Sequence, residues 1–319
     1  MGSQFIVDPK YAVLLRHPLN PDQASIQYWV DNIASVSLGT STSKTKLAGQ
    51  YVQGTGANYI VPTACRCIVG VRPKIYETTP TANQAVLATC KVESTDLKMG
   101  DYEVLANPMD SGLGTAEIQY MDTAPWWPLM YPTYGGEQVQ IYGTAQVANT
   151  VAPLMAVDLL LADTWPEGFN GSTMSWASGY GPVQSKVVGI NYGGGPTATG
   201  TAAGSVATDG GITISTPKKR LIDVIATVVG TTPAASKPFG GMMQIIAGEL
   251  SVNPLRFAIE PITGFLGTTT AGQKLPLTHA GPLNISLRAP SNVKSSFTLD
   301  TAVTTAGNFA TQYMYLDNP

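Results

Sequence analysis

The sequence predicts an all-β protein made of two tandem antiparallel β-sandwiches, on three observations. Its second half repeats its first in one register, its strand-forming residues are cut into short runs by scattered Gly, Pro and Thr, and few segments carry a helical period. The register is the strongest of the three. Thr78-Thr79-Pro80 recurs as Thr231-Thr232-Pro233, Pro108 as Pro261, and Leu113-Gly114-Thr115 as Leu266-Gly267-Thr268, each displaced by 153 positions (231 minus 78). The apolar residues between these landmarks keep the same spacing. Val69, Val71 and Ile75 fall on Ile222, Val224 and Val228; Val86, Ala88, Cys90 and Val92 fall on Phe239, Gly241, Met243 and Ile245; Tyr102, Val104 and Ala106 fall on Leu255, Phe257 and Ile259. A one-residue slip in a strand turns its core side chains to solvent, so matched parity means the same strands face the same cores.

In chain order, residues 1–24 form an N-terminal extension, residues 25–165 the first sandwich, and residues 166–319 a linker and the second sandwich. Asn20 can cap and Pro21 can open a short helix reaching Trp29. A strand from Ile33 to Leu38 is matched by Val187 to Tyr192, at an offset near 154. The repeated strands follow, divided by turns at Thr78–Asn83 and Thr231–Pro238. After Thr115 the first half carries an aromatic loop, Pro125-Trp126-Trp127-Pro128 through Tyr134-Gly135-Gly136. Strand pairing is expected to resume with Val139 and Ile141 answering Leu283 and Ile285, an offset of 144. Each half closes on an apolar strand, Pro153–Leu161 and Asn308–Leu316. Trp165 to Gly181 reads as the linker, and the small residues of Gly193–Gly211 as an exposed loop.

Composition bounds the function. Charged residues are 12% of the chain, about half the roughly 25% of ordinary soluble domains. Protein interfaces are depleted in Lys, Glu and Asp, so much of this surface is expected to be covered by neighbouring subunits. The net charge is −3 and the densest basic cluster is Lys218-Lys219-Arg220, which reads as a charge group at a strand start. Lys10 and Arg16 stand against Asp8 and Asp22 in the first 24 residues, so no nucleic-acid-binding arm is expected. Met1 to Phe5 show no secretory leader, Ile6 stands where a myristoylation pattern needs Ser or Thr, and the apolar run Val151–Leu161 is too short to cross a bilayer.

Chemistry-bearing groups are sparse. Cys65, Cys67 and Cys90 share the parity of the apolar face and are expected as buried free thiols, with a Cys90 bridge to Cys65 or Cys67 the alternative. Metal spacing is missing: no CxxC pair or neighbouring His accompanies them. The histidines, His17 and His279, read as loop or surface residues. Gly54-Thr55-Gly56 precedes a strand and lacks a third glycine, so no phosphate cradle is expected. The sequence thus predicts no catalytic site, no metal site and no cofactor. The candidate interface or ligand loop is Trp126, Trp127, Tyr131 and Tyr134, whose flat faces suit either packing within the fold and between subunits or stacking on a sugar ring.

The repeat, the strand pattern and the size resemble the double jelly-roll major capsid proteins of tailless icosahedral viruses, the lineage of adenovirus hexon and of the tectivirus and corticovirus coats. The resemblance covers residues 25–319 and rests on no short motif. It implies two tandem eight-stranded jelly rolls standing upright in a shell, and a homotrimer whose six barrels give a pseudo-hexameric tile. It also implies neighbouring capsomers and minor capsid or vertex proteins as partners, peripheral contact with any internal membrane, no sequence-specific nucleic acid binding, and assembly in the host cytoplasm into the virion. A carbohydrate-binding tandem sandwich, an adhesin or lectin using the Trp126-Trp127 loop, is the alternative. A β-sandwich hydrolase is a third reading and needs His17 or His279 beside a carboxylate in a cleft.

Overall fold

A computed structural model describes residues 27–39, 44–47, 58–77, 85–94, 102–106, 109–110, 118–119, 124–146, 151–178, 180–188, 197–198, 202–214, 218–229, 238–250, 254–263, 273–274, 277–300, 302 and 308–317. The N-terminal extension, His17, the 54–56 triplet and the turns at 78–83 and 231–237 lie outside them.

The described residues contain strands and no helix. Those of the first half are β1 (Tyr28–Ser37), β2 (Lys44–Lys46), β3 (Tyr59–Ile60), β4 (Cys67–Glu77), β5 (Ala85–Val86), β6 (Ala88–Ser94), β7 (Glu103–Leu105), β8 (Met109–Asp110), β9 (Ile118–Gln119), β10 (Trp127–Pro132), β11 (Gln138–Ala145) and β12 (Leu154–Ala162). A hairpin follows, β13 (Phe169–Asn170) and β14 (Ser175–Trp176). The second half holds β15 (Val183–Val188), β16 (Thr197–Ala198), β17 (Val206–Thr208), β18 (Ile212–Ile214), β19 (Lys218–Val229), β20 (Pro238–Ile246), β21 (Leu255–Thr263), β22 (Gln273–Lys274), β23 (Thr278–His279), β24 (Ile285–Arg288), β25 (Ser291–Leu299) and β26 (Asn308–Asp317).

The strand order is the same in both halves. One sheet of the first half runs β1-β12-β4-β10 and the facing sheet β2-β11-β6-β7; the second half has β15-β26-β19-β23 and β17-β25-β20-β21. When the main strands of each half are counted from its start, both read first-eighth-third-sixth in one sheet and second-seventh-fourth-fifth in the other. Two four-stranded sheets wound in this way, with strands far apart in sequence lying side by side, are jelly rolls. The protein is therefore a double jelly roll.

Irregularities repeat along with the strands. In β4 the pairing with β12 skips Val69, and in β19 the pairing with β26 skips Ile222, which lies 153 positions on (222 minus 69). A bulge adds one residue and shifts the parity beyond it. Ile68, Val71 and Ile75 consequently share the row that faces Leu161, Leu159 and Met155, while Val69 is the extra residue. All the predicted row positions are nevertheless buried: Val71, Ile75, Val224 and Val228 completely, and Val69 and Ile222 at 5% and 1% exposure.

The expected match of Val139 and Ile141 to Leu283 and Ile285 is overturned. Ile285 lies in β24, which pairs with β19, whereas β11 pairs with β6 and its counterpart β25 pairs with β20. Gly143 faces Cys90 and Phe297 faces Met243, so the true offset there is 154 (297 minus 143). Three smaller expectations also change. Tyr28 and Trp29 begin a strand rather than ending a helix, the 193–211 segment contributes β16 and β17, and the linker folds into the hairpin β13–β14. That hairpin is packed by Trp165 on Phe169 and Phe169 on Trp176, with ring centroids 5.4 and 5.1 Å apart.

The three cysteines are free and buried as expected, although the bulge at Val69 puts Cys67 in the row opposite Val71 and Ile75, so the shared parity was not the reason. Burial pushes the Cys65 thiol up to about 12, and Cys67 and Cys90 rise for the same reason.

Candidate functional site: the seam between the two sandwiches

Strand β7 is the outer strand of its sheet, so one side of its backbone has no ladder partner within the first sandwich. The second sandwich satisfies it. The Leu105 N–H donates to Gln312 Oε1 at 2.7 Å, Ser185 Oγ donates to the Glu103 carbonyl at 2.7 Å, and Tyr102 and Ser185 form a parallel bridge. Gln312 and Ser185 belong to β26 and β15, and both are fully buried. A further sheet joins the halves, with β22 pairing β8 and β8 pairing β5.

Trp127 closes this seam from the first sandwich. Its Nε1–H donates to the Leu105 carbonyl at 2.7 Å, and Tyr102 Oη donates to the Pro128 carbonyl at 2.8 Å, which fixes β10 against β7. The indole is completely buried and its ring centroid lies 6.1 Å from that of His279. His279, opposite Ile225 in the β19–β23 register, places Nδ1 2.7 Å from Asp223 Oδ2. The other oxygen, Asp223 Oδ1, accepts the N–H groups of Val224 and Gly281, each at 2.8 Å. A Cβ on Gly281 would stand 2.6 Å from Asp223 Oδ1, so this close approach requires glycine.

His279 therefore departs from the expected loop or surface position: its side chain is 7% exposed and bonded to a buried carboxylate. The pair ties the end of β23 to the middle of β19 and supports the Trp127 face. Among the described residues, no group of three or more His, Cys, Asp and Glu side chains could hold a metal ion.

The four aromatic residues singled out in the sequence do not share one surface. Trp127 and Tyr131 are buried in strand β10, Trp126 is half-buried with the Arg72 guanidinium 4.7 Å from its ring centroid, and Tyr134 is 39% exposed in the following turn. Tyr131 Oη donates to Glu137 Oε1 at 2.7 Å, and Ser94 and Thr133 hydroxyls also donate to this fully buried carboxylate. Three hydroxyl donors solvate the charge in place of water. Beside Trp126, Asp158 accepts from Arg72, Lys74 and Asn32. Burial alone would raise the Asp158 carboxyl, but these three hydrogen bonds and the Lys74 charge outweigh it and hold it below the usual range.

Sequence reading missed Gln312, Ser185 and Asp223. Their signal is a polar residue at the parity opposite the core in a strand that is otherwise apolar, as at Gln312 between Ala310 and Met314.

No protein-family model matches the sequence, and no curated protein matches it. Solved structures with a similar course of chain include the STIV major capsid protein, with a TM-score of 0.41 and 9% identity over 92% of this chain and 97% of that one. PNGase F, a glycosylasparaginase from Flavobacterium meningosepticum, gives 0.36 and 11% over 91% and 97%. The infectious bursal disease virus Gx strain gives 0.28 and 10% over 97% and 78%. At such distance these likenesses carry no argument about function.

Proposed function

We propose that the protein is a viral major capsid protein whose functional unit is a homotrimeric, pseudo-hexameric capsomer of an icosahedral shell. The observation that carries this reading is the seam: two jelly rolls of identical strand order are joined side by side through a buried edge strand. Paired in this way they form one unit with two similar but non-identical faces. Three such units around a threefold axis place six barrels in a ring, with near-sixfold contacts. The low charge density supports the same reading, because a surface so poor in Lys, Asp and Glu suits burial between subunits. In this role the chain works by shape and contact, without cofactor or catalysis. Its partners are other capsomers, minor capsid or vertex proteins and, at most peripherally, a membrane under the shell; among the described residues no helix is long and apolar enough to cross one. Its place is the virion, after assembly in the host cytoplasm.

Size exclusion with light scattering on purified protein tests the proposal. The expected mass is three chains, changing little with salt because few ion pairs are available. Negative-stain images should show six-sided particles. A monomer at micromolar concentration overturns the reading.

A further inference from the structure

The duplication makes every surface of the second sandwich comparable with one on the first, and one pair of surfaces differs sharply. Val183, Ser185 and Val187 of β15 pair with Leu316, Met314 and Gln312 of β26. Tyr28, Val30 and Asn32 of β1 pair with Ala162, Leu160 and Asp158 of β12, which lie 154 positions earlier (312 minus 158). The two rows are thus equivalent. In the second sandwich β7 covers the row, and Val183, Ser185 and Val187 are 6%, 0% and 5% exposed. In the first sandwich Tyr28 is 48% and Val30 37% exposed, and Asn32 is exposed as well.

The covering strand shows the reciprocal contrast. Glu103 and Leu105 of β7 are buried, whereas their counterparts 153 positions on, Arg256 and Ala258 of β21, are exposed on the outer strand of their sheet. Both halves of a second seam are present on each chain, at opposite ends of the duplication, and neither is covered among the described residues.

We propose that the Tyr28–Val30–Asn32 row docks strand β21 of a second copy of this chain, repeating between chains the seam that β7 makes with β15 within one. The proposal rests on the homotrimer reading and assigns its interface. An exposed outer strand with unpaired backbone groups is a ready template for another chain, and an exposed Tyr–Val row supplies the apolar area to bury. The contact joins two different patches, so it runs head to tail, and a ring is the arrangement that leaves no patch open.

Tyr102 and Ser185 are directly paired in the existing seam, and their counterparts are Leu255 and Val30, so cysteines at the latter two positions should fall within disulfide reach across chains. The Val30→Cys/Leu255→Cys double variant is purified, oxidised and run on a non-reducing denaturing gel, with each single variant beside it. The expected result is a reductant-sensitive ladder ending at three chain masses, with nothing above two chains in either single variant. In parallel, Val30→Asp should lower the light-scattering mass from three chains to one with an unchanged far-ultraviolet circular dichroism spectrum. A wild-type trimer without the ladder overturns this seam and leaves the homotrimer reading standing. A wild-type monomer overturns both. A reductant-sensitive species that stays at one chain mass places β21 against β1 of the same chain and also overturns the proposal.

Discussion

Trp127 concentrates several constraints in one side chain: it is completely buried, its N–H satisfies the Leu105 carbonyl, and its ring lies beside His279. Trp127→Phe keeps most of the apolar area but leaves that carbonyl without its donor, and a buried unsatisfied group costs about 1–3 kcal/mol. The urea midpoint should fall accordingly, and an unchanged midpoint would show that the indole N–H contributes nothing. Asp158 gives a pH signature. Its carboxyl is depressed in the folded state, so the stability it contributes is present above the unfolded value, about 3.9, and is lost as pH falls through the lower folded value. The stability gap between wild type and Asp158→Asn should therefore be full at pH 6 and narrow below about pH 4. A gap of constant size across that range would remove the charge from the argument. The sequence concealed these polar sites because a lone Asp or His in a strand has the same local signature whether it meets water or a partner. Asp223 and His279 are 56 positions apart, and only the fold joins them.

At the scale of the element, apolar parity was a sound guide where the core is apolar and a poor one elsewhere. Strand β25 shows why. Ser295 occupies the position equivalent to Ile141, and its hydroxyl lies 2.6 Å from Tyr313 Oη, while its N–H donates to the buried Asp209 at 2.9 Å. A polar network replaces an apolar side chain there, so the alternation fades and the nearby run of Leu283 and Ile285 takes its place in a sequence comparison. Strand β10 was hidden differently. Pro128 and Pro132 suggested a loop, yet an edge strand tolerates prolines because one side of its backbone needs no ladder partner. Close packing between strands yields a further prediction at Gly241, where a Cβ would meet the Thr298 carbonyl oxygen at 2.1 Å and the Phe297 ring at 2.7 Å. Gly241→Ala must shift the backbone of β25, and a loss of about 1–3 kcal/mol is expected for such overpacking. Chemical denaturation measures it; a stability within error of wild type would mean the two strands can separate at no cost.

For the whole molecule, the duplication was legible because its register is nearly ungapped: offsets of 153 to 155 relate seven of the eight pairs of equivalent strands, and only β17 departs, lying 162 positions after β2 (207 minus 45). The way the two sandwiches meet was not legible, since it depends on one outer strand and on side chains from β15 and β26 that sequence comparison treats as ordinary strand residues. The core crosses that junction: Val183, Val187, Ile225 and Met314 of the second half belong to the same cluster of buried residues as Val71 and Trp127. The first half alone should therefore expose apolar area and a bare β7. A fragment of residues 1–165 is expected to aggregate or self-associate where the full chain does not, which light scattering at matched concentrations can check. A monodisperse, monomeric fragment would mean that the junction adds little to the first sandwich.

Because β7 depends on Ser185 and Gln312, the order of synthesis matters. The ribosome completes Leu105 a little over two hundred residues before it completes β26, an interval of roughly 10–40 s at about 5–20 residues per second. Throughout that time the nascent chain carries an outer strand whose natural cover does not yet exist, beside other chains on the same message that carry the same strand. The seam that fixes the finished molecule is therefore also a point of exposure to mispairing during synthesis, and chaperones that shield nascent chains should affect its yield more than its final stability.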